Sequence, residues 1–172
     1  RVPTIQRATK TLGRIQQKAI ALLADVDLSA NDVVTLVRDI AGGRVIVVGV
    51  EDLRFAVAQF EGFVEARDGI ELWPVEIYLD VSRPGGFRGA LGGMYLSIEG
   101  LVEYPFEVQV MTAFQHAWDQ LQHPIYEQAR HQGMADPSSS LVAQFQDLSD
   151  QLYEKDKEIS TLQQAVRLGQ RT

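Results

Sequence analysis

A chain of 172 residues with 45% hydrophobic content is long enough to bury a core and too apolar to be disordered. Its formal net charge of −7 excludes a broad nucleic-acid surface, which needs a basic face, yet permits a small anionic ligand held by a few focused cations. The absence of cysteine removes disulfides, thiolate metal sites and cysteine nucleophiles and suits a cytoplasmic protein; no apolar run nears the ~20 residues of a membrane span, and no secretory leader is expected.

The first expected element is a helix over 4–23, where Ile5, Leu12, Ile15, Ala19, Leu22 and Leu23 recur at near-helical spacing. Its other face carries Lys10, Arg14 and Lys18 at i, i+4 and i+8, a basic row that is either a solvated surface or a seat for an anion. A short helix over 32–40 follows, ended by Gly42 and Gly43, which lead into a continuous apolar strand from Val45. Asp39 and Arg44 bracket that turn. A second amphipathic helix is expected over 51–67, with Leu53, Phe55, Ala56, Phe60, Phe63 and Val64 facing inward. The stretch 72–81 alternates as a strand, Val75, Ile77, Leu79 and Val81 against Glu76, Tyr78 and Asp80. Residues 82–93 form a glycine-rich loop with Arg83, Arg88 and Phe87. Glycines let backbone N–H groups approach an anion, arginine suits phosphate, and an aromatic face stacks on a base.

A hairpin around Gly100 then joins strands over 93–99 and 101–111. In the second strand Phe106, Val108 and Val110 share one face and Glu107 and Gln109 the other. Thr112 reads as a helix N-cap, and the pattern changes to the helical period at Ala113, Phe114, Ala117, Trp118 and Leu121, which are expected inward. A carboxylate and an amide thus sit on a strand that feeds a helix, a place suited to a metal or nucleotide, or else a polar sheet face. After a break at 135–140, Ser139 or Ser140 caps a last helix over 141–168. Its near-heptad apolar row, with Leu148, Leu152, Ile159 and Leu162, is expected to be buried against the core or a partner.

The spelling Glu107-Val108-Gln109, Thr112, His116-Ala117-Trp118 and His123, together with Asp39-x-x-Gly42-x-Arg44, resembles the RelA/SpoT alarmone synthetase family. The glycine-rich loop resembles that family's acceptor loop, with Arg83 at its lysine, Phe87 at the tyrosine that stacks on guanine and Arg88 at its basic variant. Lys10, Thr11, Ile15 and Lys18 match its first helix. The pattern departs at Ala8, Gly85, Gly89 and Met111, and the loop lacks the family's histidine.

This resemblance implies an α+β, nucleotidyltransferase-like fold: a mixed sheet of about four or five strands flanked by helices. Residues 1–134 would form the synthetase domain and 135–172 a C-terminal helix for docking or oligomerisation. It implies pyrophosphate transfer from ATP to the 3′-hydroxyl of GDP or GTP, in a cytoplasmic homo-oligomer assembled through terminal helices. In that scheme Asp39 and Glu107 hold Mg²⁺ and Glu107 can act as base. Lys10, Lys18 and Arg44 hold ATP phosphates, and Arg83, Phe87, Arg88, Gln109 and His116 serve the acceptor nucleotide. The departures keep open a degenerate domain that binds nucleotide without turnover, or one that transfers to a different acceptor.

Overall fold

The computed structural model of the protein describes residues 4–9, 15, 20, 37, 39–83, 85–98, 102–132 and 140–169. Five strands form one mixed sheet in the order β1-β2-β5-β4-β3: β1 Thr4–Thr9, β2 Ala41–Val47, β3 Ile70–Tyr78, β4 Gly89–Ile98 and β5 Val102–Thr112. Among the described strands only β2 and β5 pair in parallel, because the chain between them crosses over through helix α1 (Val50–Glu65) and the β3–β4 hairpin. Helices α2 (Ala113–His131) and α3 (Ser140–Gly169) complete the described chain.

Residues 4–9 correct the expected first helix. They are an edge strand antiparallel to β2, from Thr4 opposite Ile46 to Thr9 opposite Ala41. Thr4, Ile5 and Thr9 are β-branched and suit a pleated ladder, so a free sheet edge outweighs the longer helical period. Ile15 and Ile20 are helical; Lys10, Arg14 and Lys18 lie outside the described residues. Gly42 and Gly43 sit inside β2 rather than at a helix end.

One face of the sheet makes the apolar core. Val47, Val108, Val110 and Ala90 meet Val50, Leu53 and Val57 of α1, with Leu79 and Tyr153 closing the cluster. Each fully buried aliphatic side chain contributes roughly 1.5–3 kcal/mol. Phe55 and Phe63, expected inward, are exposed, and the Arg67 guanidinium lies 3.9 Å above the Phe63 ring. In β3 the expected alternation fails because the register shifts between Trp73 and Glu76. Pro74 has no N–H for the ladder, and the irregularity leaves Ile77 and Val81 exposed while Leu79 is buried.

Helix α3 docks on the core through a more polar face than its apolar row, of which Leu152 and Ile159 are half-buried. Its buried residues are Val142, Phe145, Ser149, Tyr153, Asp156 and Ser160, whereas Leu148 and Leu162 are exposed. The reason lies in what α3 covers. The N-cap of α1 is Gly49, which has no side chain to offer; Ser160 Oγ accepts from Val50 N at 2.9 Å in its place. Thr112 Oγ1 donates to Asp156 Oδ2 at 2.6 Å and accepts from Gln115 N at 3.2 Å, so the expected N-cap of α2 is present and is itself held by α3. Arg167 pairs with Asp52 at 2.9 Å near the end of the helix.

Asp156 is fully buried, and that burial pushes its carboxyl up to about 6, while hydrogen bonding from Thr112 and Gln115 pulls it back. A carboxyl whose folded value exceeds its unfolded one near 3.8 binds protons more tightly in the folded state. Folding is therefore favoured at low pH, and this contribution is lost as pH rises through about 6. Asp156→Asn is expected to raise the stability at pH 8 by about 1–3 kcal/mol, the scale of a two-unit shift. The gain should shrink towards zero near pH 4, as read from urea unfolding curves at the two pH values.

Candidate functional site

The second sheet face is polar because of register. Gly42 pairs with Glu107 and Arg44 with Gln109 across the parallel β2–β5 ladder, and paired residues point to the same side. On the other flank of β5, Gly93 of β4 lies opposite Glu107. Glu107 is thus bordered by glycine in both neighbouring strands. A Cβ at position 42 would come within 3.1 Å of the Glu107 carbonyl, and one at position 93 would strike the Trp73 ring at 2.1 Å. On the Gly42 side a side chain would press on the backbone and Cβ of Glu107, and on the Gly93 side Trp73 fills the space.

A continuous polar chain runs from Glu107. Gln109 Nε2 donates to Glu107 Oε1 at 2.7 Å. Gln109 Oε1 accepts from Arg44 Nε at 3.0 Å and from Nη2 at 2.6 Å. Arg44 Nη1 lies 3.2 Å from His116 Nδ1 and 2.8 Å from Asp119 Oδ2. Because arginine only donates, Nδ1 is the acceptor and the neutral His116 ring carries its proton on Nε2. Burial, then the adjacent Arg44 charge, lowers the His116 pKa, and Asp119 opposes them.

Beyond Gln109 on the same face comes Met111, which helps line a cleft of about 210 Å³. Phe87 and Gly85 of the glycine-rich loop form one wall. One stripe of α2 forms the other, with Trp118, Asp119, Gln122, His123 and Tyr126 at helical spacing. This keeps Trp118 on the expected inner face of α2 but turns Ala113, Phe114, Ala117 and Leu121 outward, and Gln115 is buried in their place. Trp118 and Tyr126 rest on Phe145 of α3, with ring centroids 5.7 and 6.4 Å apart.

Helix α3 also seats the loop that carries Phe87. Gly86 has φ +88°, and a Cβ there would meet the Phe145 carbonyl at 2.8 Å, so glycine is needed for both conformation and space. Ser149 Oγ donates to Gly86 O. Arg88 is buried, donates to Leu79 O and Asp150, and lies 4.6 Å from the Tyr153 ring centre. Arg83 is exposed, with its guanidinium 5.3 Å from the Tyr78 ring.

The fold therefore gathers Glu107, Gln109, Arg44 and His116, and sets Phe87 at the adjoining cleft. Arg88 is held by α3, Arg83 faces solvent, and Lys10 and Lys18 lie outside the described residues. Asp39 stands in the turn before β2, three positions ahead of Gly42, with Oδ1 buried. Sequence reasoning missed Asp119, Trp73 and the buried face of α3. Asp119 was detectable at i+3 from His116, a spacing that places both on one side of a helix.

No cluster of three or more metal-ligating His, Cys, Asp or Glu side chains occurs among the described residues.

No family model and no curated protein matches the chain in sequence. Solved structures do match in fold. Small alarmone synthetase 1 from Bacillus subtilis, bound to its product pppGpp, superposes with a TM-score of 0.73 at 17% identity, over 96% of this chain and 80% of that one. A GTP pyrophosphokinase family protein from Streptococcus pneumoniae gives 0.76 at 16% identity, over 98% and 79%. Small alarmone synthetase 2 from B. subtilis gives 0.72 at 18%, over 95% and 82%. The chain has the fold of these small synthetases.

The polar chain predicts a titration. By ¹H–¹⁵N correlation NMR, His116 should show the Nε2–H tautomer and a midpoint below the ordinary imidazole value of about 6.5. Arg44→Gln should move that midpoint upward, because it removes the neighbouring cation. An unchanged midpoint would break the assigned Arg44–His116 contact.

Proposed function

We propose that this protein transfers a pyrophosphate group from ATP to the ribose 3′-hydroxyl of a guanosine nucleotide. The observation that carries the reading is Glu107: a carboxylate bordered by glycines, tied through Gln109 to Arg44, beside an aromatic cleft, on a fold matched by the small alarmone synthetases.

In the proposed reaction the 3′-oxygen attacks the β-phosphorus of ATP and the bond from that phosphorus to the α-bridging oxygen breaks. AMP leaves, and the hydroxyl proton passes to Glu107. Gln109 holds the Glu107 carboxylate in one orientation while its own amide is fixed by Arg44. Arg44 sets positive charge against the developing phosphoryl charge. Phe87 stacks on the acceptor base from the loop that α3 holds in place, and Trp118 and Tyr126 supply the facing apolar wall. Asp39 and Glu107 would hold Mg²⁺, which would supply charge neutralisation on the phosphates. His116, neutral at pH 7, adds no second cation to Arg44 and acts as its hydrogen-bond anchor.

The burial of Arg88 against α3 favours a second reading, nucleotide binding without turnover, since the loop then has one fewer cation to offer a phosphate. Incubation with ATP, Mg²⁺ and each of GDP, GTP and AMP, followed by separation of the products, decides between the two. In the synthetase reading Glu107→Gln lowers turnover by at least ~10²-fold with the fold retained, the lower range for loss of a positioned base. Phe87→Ala instead weakens acceptor binding by about 1–3 kcal/mol, the value of one base–aromatic stack, and leaves ATP binding nearly unchanged. Binding without product in the wild type, matched by equal binding in Glu107→Gln, establishes the second reading.

Assembly into a homo-oligomer is proposed to use the exposed apolar row of α3, where Leu148, Leu162 and Val166 face outward. Light scattering should show an oligomer that Leu162→Glu converts to a smaller species. A wild-type monomer rules this assembly out.

A further inference from the structure

Nη1 of Arg44 is already saturated on the site face, and four of the five N–H donors of the guanidinium have named partners. A guanidinium has five N–H donors and no acceptor. Nε and Nη2 both serve Gln109 Oε1, Nη1 serves His116 Nδ1, and the Asp119 carboxylate lies 2.8 Å from that same Nη1. These partners differ in kind. Gln109 and neutral His116 fix the guanidinium plane without opposing its charge. Asp119 is an anion, it comes from α2 rather than the sheet, and its side chain keeps 23% of its exposure. It also lines the cleft beside Trp118. A carboxylate oxygen at this distance is the same class of ligand as a phosphate oxygen.

We infer that Asp119 is a resident counter-anion that occupies the phosphate position on Arg44 and must be displaced before a nucleotide polyphosphate binds there. The inference rests on the proposed function, which brings a polyphosphate to Arg44. The two N–H donors of Nη1 go to His116 and Asp119, so a phosphate oxygen reaches Nη1 by taking the place of Asp119, and the two anions repel there. A partly exposed ion pair is weak enough to open. Gln109 and His116 hold Arg44 in place while Asp119 leaves, so displacement does not require rebuilding the site. The acidic residue thus sets nucleotide affinity and keeps the arginine neutralised in the free protein.

Wild type, Asp119→Asn and Asp119→Ser are titrated calorimetrically at fixed ionic strength with inorganic tripolyphosphate, and with α,β-methylene ATP plus Mg²⁺. Both variants should bind tripolyphosphate at least ~10-fold more tightly than wild type, in line with removal of a like charge beside a bound anion. Adding Arg44→Gln to Asp119→Asn should abolish the gain. A role confined to orienting Arg44 would leave affinity unchanged or weaken it. That result overturns the inference and spares the synthetase reading, provided that wild type binds the ATP analogue. Absence of binding by every protein to both probes overturns both. Loss of folding in both variants, seen in melting curves, makes Asp119 a structural clamp and also overturns the inference.

Discussion

The hydroxyl of Thr112 is the joint on which this molecule turns. It ends β5, accepts from the first turn of α2, and donates to Asp156 of α3, all without exposure to water. A buried hydroxyl must use its bonding capacity, and here one group satisfies a sheet end, a helix start and a carboxylate at once. The strand it ends carries Glu107 and Gln109, and the helix it starts carries His116 and Asp119. The angle between that strand and helix therefore decides whether an imidazole and a carboxylate reach Arg44.

Electrostatics on the site face follow from that arrangement. The chain is acidic overall, yet among the described residues the polar sheet face is organised round the Arg44 guanidinium. Gln109 can bridge a carboxylate and a cation because an amide both donates and accepts; a glutamate in its place would leave two carboxylates in contact. The pKa of His116 is lowered first by burial and then by the same logic, since a protonated ring would face Arg44 with like charge. Arg44 is held in one geometry by partners that carry no charge, apart from Asp119.

Helix α3 is part of the site's framework rather than an appendage to it. It supplies Ser160 to the bare start of α1, Ser149 to the loop at Gly86, and Asp150 and Tyr153 to Arg88. These contacts lie on both sides of Phe87 in sequence. The loop's position against the cleft is thus fixed by a helix more than fifty residues away, through hydroxyls and a carboxylate that read as solvent-facing when the helix is considered alone.

By itself the sequence determined the strand of Glu107 and Gln109, the N-cap at Thr112 and a mixed α+β plan of four or five strands, because each rests on local period or turn chemistry; it read the edge strand β1 as helix and Gly42-Gly43 as a helix end. The resemblance to the alarmone synthetases was legible in the same short stretches, and the structural matches bear out the fold. Only the tertiary structure decided which helix faces are buried. Phe114, Leu121 and Leu162 point outward, while Gln115, Ser149 and Asp156 point inward. An apolar row identifies a face that gains from leaving water, but it does not say what lies opposite. Here α2 and α3 cover the ends of strands, a helix and a loop, where unpaired backbone and side-chain polar groups require hydrogen-bond partners, and that requirement outweighed the apolar pattern.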